Sequence, residues 1–254
     1  MRSLYQLIAT AFRTLTVFPL PGKTVSSFAS SVPYYPIVGF TLSAIPFAVV
    51  NIASYAASLP NSIVALLALI LTMAATGFLH QDGFSDSADA FGAGRDKETI
   101  LRILKDVHLG TFGTVALIFD IVLKWQLWEV LIRRDRLVFI MLSLVVSRFA
   151  MAILPLILSP AKTTGLGATL DEKSWVSPLI LSFFGVVLIG CLILVSDYTF
   201  ALTLIIPALA VSLAWAFFLW KSIGGFTGDT LGALNEMVEI TVLLTLCAAP
   251  YPFV

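Results

Sequence analysis

Long runs of apolar residues separated by short polar stretches dominate this chain, and their lengths set the first expectation. A helix that crosses a bilayer needs about 20 predominantly apolar residues. Stretches near that length fall at 35–57, 63–79, 114–132, 137–158, 176–195, 200–220 and 238–250. They predict an all-α, polytopic membrane bundle of about seven transmembrane helices. Residues 2–18 are less apolar and carry Arg13, which predicts an amphipathic helix lying in the interface. Pro19, Pro21 and Gly22 then break the chain. No internal repeat or low-complexity linker interrupts the pattern, so 1–254 reads as one membrane domain. The residues after Met1 lack the basic, apolar and small-residue succession of a cleavable signal peptide, and none is expected.

Composition strengthens the membrane reading. Hydrophobic residues make up 59% of the chain and charged residues 12%, with a mean hydropathy of +0.99. One water-soluble core cannot bury that much apolar surface. The same figures exclude disorder. Fifteen basic and fifteen acidic residues cancel, so no bulk field attracts nucleic acid. Cys191 and Cys247 sit in apolar runs and read as packing residues. With seven alternating spans, one side collects ten loop Lys and Arg residues and the other only Arg133, Arg134 and Arg136. The side with ten is expected to be cytoplasmic, with the Arg133–Arg136 cluster running against the rule. On that topology the polar segments 80–110, 159–175 and 221–236 share the cytoplasmic side and can build one site, carried by a helical hairpin.

Acidic residues are scarce, so their placement is informative. Nine of the fifteen fall in two windows: Asp82, Asp86, Asp89, Asp96, Glu98 and Asp106, then Asp229, Glu236 and Glu239. In LHQDGFSDSADAFGAGRDKE, Asp82, Asp86 and Asp89 are spaced i, i+4, i+7, which places them within roughly 60° on a helix continuing the second span. Phe84, Ala88 and Phe91 fall opposite. Like charges at that spacing repel unless a cation neutralises them. Hard oxygen donors without thiolates favour Mg²⁺ over zinc; the bland alternative is a solvated acidic helix end. Gly92 and Gly94 end this helix, and Asp96 is placed to cap the next. Arg95, Arg102, Lys105 and His108 make the hairpin basic beside the acidic face, a combination that holds phosphate or diphosphate. Each of these, like His80, also fits a plain interface residue.

The second window, GGFTGDTLGALNEMVE, offers a glycine turn at Gly224, Gly225 and Gly228 and a cap at Thr227, Asp229 or Thr230. Exposed amides at such a start bind phosphate. Asp229 and Glu236 share a helix face, with Glu239 one turn further on near the start of the last span, and a carboxylate pair entering a membrane helix is costly without a partner. Asp120 and Lys124, at i, i+4 inside the third span, are expected to neutralise each other. Arg148 sits mid-span and needs a polar interior or a partner carboxylate. Trp125, Trp128 and Trp220 read as belt residues.

The strings FLHQDGFSDSADAFGAG, ILKDVHLGTFG, TTGLGATL and GGFTGDTLGALNEMVEI, preceded by FRTLTVFPLP and YYPIVGF, closely resemble the cobalamin synthase family. The matching pieces run from about residue 12 to 240 in family order. Gln81 replaces the family's usual Leu, and Val107–His108 replaces a Ser or Pro followed by Arg, so the carboxylates transfer more firmly than position 108. The resemblance implies an adenosylcobinamide-GDP ribazoletransferase in a bacterial or archaeal cytoplasmic membrane, its active site facing the cytoplasm. It implies α-ribazole or its 5′-phosphate as acceptor, attacking through the 5′-hydroxyl, with GMP released and adenosylcobalamin or its 5′-phosphate formed. Asp82, Asp86 and Asp89 would hold Mg²⁺ on the diphosphate, and Asp82 or Asp89 would take the hydroxyl proton; Asp229, Glu236 and Glu239 would hold a second metal or orient the nucleophile. His80, Arg95, Arg102, Lys105, Asp106, His108, Arg148, Gly225, Thr227 and Gly228 would contact substrate. A homo-oligomer is compatible with this reading.

Two rivals stand beside it. A CDP-alcohol phosphotransferase pattern expects Ala-Arg two residues after its Asp-Gly, whereas Asp82-Gly83 is followed by Phe84, Ser85 and Asp86. An ion-coupled transporter would use Asp120, Lys124 and Arg148, but such proteins commonly carry repeated halves and midplane charge.

Overall fold

The computed structural model describes residues 4–22, 28–56, 59–94, 96–161, 180, 184–185 and 198–248. The expected span at 176–195, most of the polar segment 159–175, Arg95 and Cys191 lie outside these residues.

Apolar sequence becomes helix throughout. The elements are α1 (Leu4–Leu15), a short 3-10 helix (Phe28–Tyr34), α2 (Tyr35–Leu42), α3 (Ala44–Ala56), α4 (Asn61–Ala75), α5 (Leu79–Ala93), α6 (Lys97–Ile103), α7 (Thr111–Arg133), α8 (Leu137–Ile157), α9 (Tyr198–Ser222) and α10 (Gly228–Ala248). No strand occurs among the described residues; Pro160 and Phe226 form an isolated bridge. The all-α expectation therefore holds.

Four segments among the described residues are long and apolar enough to cross a membrane: Phe28–Tyr55, Leu137–Ile157, Thr199–Ser222 and Gly228–Ala248. The pair Asn61–Ala75 and Leu79–Ala93, bent by 86°, makes a fifth if it counts as one span. The count is thus four or five here against the seven expected, and the chain is multi-pass. Large exposed apolar side chains such as Phe40, Phe47, Ile118, Phe119, Leu209 and Phe217 cover the helices' outer faces. In water such a surface would drive association; in lipid it is the natural exterior.

Two boundaries differ from the sequence pattern, each for a physical reason. The acidic helix does not continue the span before it. Gly77 (φ 61°) and Phe78 (φ 58°) both adopt the left-handed region, which turns α5 sharply away from α4. The last helix begins at Gly228, ten residues before the apolar run at 238. Its first three turns hold Asn235 and Glu236, both fully buried; Lys124 of α7 pairs with Glu236, which also accepts the Asn235 side-chain amide.

Helix α10 packs against α5, α7, α8 and α9. Its Leu234, Val238, Val242 and Leu243 are fully buried, as are Trp128 and Leu131 of α7 and Ile140 of α8. Trp128 therefore belongs to the core rather than to an interfacial belt; Trp220, 61% exposed, fits the belt. Helix α2 lies so close to α8 that a side-chain carbon on Gly39 would collide with the Leu144 carbonyl, the small-residue approach that membrane helices use in place of a hydrophobic driving force.

Candidate active site

Helix α5 presents its three aspartates at different depths. Asp82 is exposed, Asp86 half-buried and Asp89 buried. Gly83 sets what stands opposite: a side-chain carbon there would lie 2.6 Å from the Asp229 carbonyl oxygen and 3.0 Å from the Asp229 Cα. Only glycine permits that approach, and it brings the first turn of α10 onto α5. The charges of Asp82, Asp229 and Asp89 all bear on Asp86. Two windows more than 140 residues apart in sequence are thereby joined.

Asp89 is engaged elsewhere. Its Oδ2 accepts the Gly110 amide at 2.7 Å and its Oδ1 the Gly113 amide at 2.8 Å. The carboxylate thus caps the start of α7, where it meets both orphan donors and the positive end of the helix dipole. Among the described residues, no three His, Cys, Asp or Glu side chains converge as a ready-made metal set. Mg²⁺ does not require one: it is commonly held by one or two carboxylates together with waters and substrate phosphates. Asp86, flanked by Asp82 and Asp229, supplies hard oxygen donors of that kind, so the residues fit such an ion.

The turn before α10 is self-contained. The Thr227 amide donates to Thr230 Oγ1 at 2.8 Å, and the Thr230 amide donates back to Thr227 Oγ1 at 3.3 Å. Gly225 is buried against the Ser159–Ala161 backbone, where a side-chain carbon would collide. Flanking it, the Phe226 amide donates to the Ser159 carbonyl at 3.1 Å and the Ala161 amide to the Phe226 carbonyl at 2.8 Å. Gly225 and Thr227 therefore build the turn. Gly228, with nothing within 4 Å of a modest side chain, borders open space.

Glu236 and Glu239 face inward, away from this end of α10. Lys124 of α7 is the hub: its Nζ forms a short ion pair with Glu236 and lies 3.4 Å from Asp120 and 3.8 Å from Glu239. Arg148 of α8 donates to Glu239 Oε2 at 3.0 Å and to Ser147 Oγ at 3.1 Å. Asn235 Nδ2 donates to Glu236 Oε1 at 2.9 Å. All six of these ionic or amide side chains are at most 3% exposed. The pairing of Asp120 with Lys124 expected from their spacing is thus one arm of a larger network, and Arg148 finds the partner its position demanded. His80, 1% exposed, lies in the field of Arg148, Glu236 and Lys124, and neither ring nitrogen has a hydrogen-bond partner.

The hairpin beyond α5 is exposed at Arg102, Lys105, Asp106 and His108. Asp96 caps α6 by accepting the Thr99 amide at 3.0 Å, which holds its carboxyl below the usual range. His108 Nδ1 lies 2.6 Å from Asp106 Oδ1, and this contact likewise lowers the Asp106 pKa. One residue was missed by the sequence reading: Lys97 reaches the glycine turn, its Nζ 3.2 Å from where a side-chain carbon on Gly224 would stand. Lys124, expected to serve Asp120, also reaches Glu236 and Glu239.

The sequence profile described as cobalamin-5-phosphate synthase matches residues 7–247. The chain belongs to the cobalamin-5-phosphate synthase family. The match runs from α1 to the end of α10, so it contains every residue of the acidic site. Among curated relatives, a Chlorobaculum parvum protein named adenosylcobinamide-GDP ribazoletransferase is 38% identical over 241 residues, covering 92% of each chain. A Chlorobaculum tepidum protein of the same name is 37% identical over 243 residues, covering 93% of each. A third, from Clostridium tetani, is 34% identical over 217 residues, covering 85% of this chain and 84% of its own. No solved structure matches this member of the cobalamin-5-phosphate synthase family.

Proposed function

We propose that this chain is a Mg²⁺-dependent adenosylcobinamide-GDP ribazoletransferase of the cytoplasmic membrane, with its acidic end facing the cytoplasm. The single observation that carries the site is the approach of α10 to α5 at Gly83, which sets Asp229 beside Asp82 and Asp86. Family membership and the relatives' names support the activity, and the loop charges support the orientation.

In this reading an acceptor hydroxyl attacks the phosphorus on the cobinamide side of the diphosphate, and the bond to GMP breaks. The family's name keeps a 5-phosphate in the product. A phosphorylated 5′-oxygen has no proton to lose, so with ribazole 5′-phosphate the attacking group is a ribose ring hydroxyl rather than the 5′-hydroxyl. Asp82, exposed on α5, accepts the hydroxyl proton; Asp89 is the weaker candidate because amides occupy both its oxygens. Asp86, together with Asp82 or Asp229, would hold Mg²⁺, which would offset charge on the diphosphate oxygens. Lys97, Arg102 and Lys105 receive the charge that develops on the departing GMP. Glu236, Glu239 and Arg148 contribute through packing rather than substrate contact, since Lys124 pairs with Glu236 and Arg148 with Glu239 across helices.

The test is direct. Purified protein in vesicles is incubated with adenosylcobinamide-GDP, α-ribazole or its 5′-phosphate, and Mg²⁺. GMP and a joined corrinoid should appear in equal amounts and vanish with EDTA. Turnover that persists without a divalent ion would remove the metal from the proposal, and absence of the joined product would remove the activity.

A further inference from the structure

Three contacts close a ring around the acidic site. Asp89 of α5 grips the start of α7 through the Gly110 and Gly113 amides. Lys124 of α7 grips α10 through Glu236 and reaches Glu239. Helix α10 returns to α5 where the Asp229 backbone meets Gly83. Each helix is fixed to the next by a polar joint or a glycine contact, and each joint lies on a different pair of helices. Arg148 of α8 adds a second cation on Glu239.

We propose that Lys124 is a positioning residue that sets the depth and rotation of α10 and thereby holds Asp229 against Asp86. This rests on the metal reading above. Asp229 and Glu236 are seven residues apart, so they stand about 10 Å apart along one rigid helix and within about 20° of the same face. A displacement at Glu236 is transmitted directly to Asp229. Packing alone is a poor substitute in lipid, where helix faces are not sorted by hydrophobicity and polar contacts fix register. The joint is also buried: Lys124, Glu236 and Asp120 are at most 1% exposed. Glu236 and Glu239, which the family resemblance would offer to a second metal, serve on this account as the sockets for Lys124 and Arg148.

The experiment uses the full-length protein in detergent micelles with Mn²⁺ as probe, free ion being read by electron paramagnetic resonance. Wild type should bind Mn²⁺ saturably and release it to Mg²⁺; failure here overturns the metal reading itself, independently of Lys124. Lys124→Met should weaken Mn²⁺ binding by about tenfold or more, the scale at which loss of supporting contacts acts on a metal site, and Lys124→Arg, which keeps a cation among Asp120, Glu236 and Glu239, should stay within about threefold of wild type. A role confined to stability would lower the unfolding midpoint and leave the affinity of the folded protein unchanged, which would overturn the proposal. So would a well-folded Lys124→Arg protein that stays weak. Should Lys124→Met not fold, Glu236→Gln decides: it removes the charge that Lys124 grips most closely while keeping its shape, and it should weaken Mn²⁺ severalfold, whereas wild-type affinity would refute the positioning role.

Discussion

Asp89 offers the sharpest quantitative test, because its environment is fully specified. Its two oxygens accept two amides at 2.7 and 2.8 Å at the start of α7, and the residue is 8% exposed. A hydrogen bond to a charged group contributes about 1.5–3 kcal/mol. Asp89→Ala should therefore cost about 3–5 kcal/mol, an estimate that discounts partial rehydration of the freed amides. Asp89→Asn keeps one acceptor and should cost about half as much. Gly113→Ala attacks the same joint from the other side. Its new carbon would collide with the Asp89 carboxylate and lie 2.9 Å from the Ser85 carbonyl oxygen, so the carboxylate must swing out. A cost of about 2–4 kcal/mol is expected, from crowding and lost bonds together. Since both substitutions destroy one interaction, the double variant should fall short of the sum by about 1–2 kcal/mol. Reversible unfolding of each variant in mixed micelles, followed by helical circular dichroism, gives the four values. Additivity within about 0.5 kcal/mol would show that Asp89 does not hold α7 as described.

Other outcomes follow from the same geometry. Asp82→Asn and Asp86→Asn should each abolish Mg²⁺-dependent turnover while the protein still inserts, measured as GMP release from purified vesicles; full activity in either would remove the metal-holding face. Gly83→Ala should cost about 1–3 kcal/mol of stability by forcing α5 away from Asp229, and should depress turnover although no carboxylate is lost; an unchanged rate would mean that the close approach is dispensable. A single cysteine at position 97 should react with a membrane-impermeant maleimide only from the cytoplasmic side, and labelling from outside would invert the topology.

The acidic stripe was legible because its cue is local: three aspartates at i, i+4, i+7 in a chain nearly empty of charge. The cap at Asp96 was legible for the same reason. What surrounds those residues was not. The bend at Gly77–Phe78 depends on a phenylalanine in the left-handed region, which no periodicity announces. Asp89 looked identical to Asp82 in pattern, and only the arrival of α7 distinguishes them. The spacing of Asp120 and Lys124 disclosed one arm of the buried network, while Glu236, more than 100 residues later, supplied the stronger one. That same burial explains why the last helix starts earlier than its apolar run: polar residues that find partners need not be excluded from a bilayer.

The division of charge among helices also bears on how the chain is assembled. Helix α7 carries its own counter-ion, since Asp120 and Lys124 are one turn apart. Helix α8 carries Arg148 and no acidic residue within Leu137–Ile157, and its carboxylate, Glu239, belongs to the segment synthesised after it. A nascent chain halted before Gly228 would thus leave an unmatched guanidinium among lipid tails, a state that insertion machinery and quality-control proteases can distinguish from the finished protein. Completion of the last helix is then the event that both balances the interior and brings Asp229 up to α5.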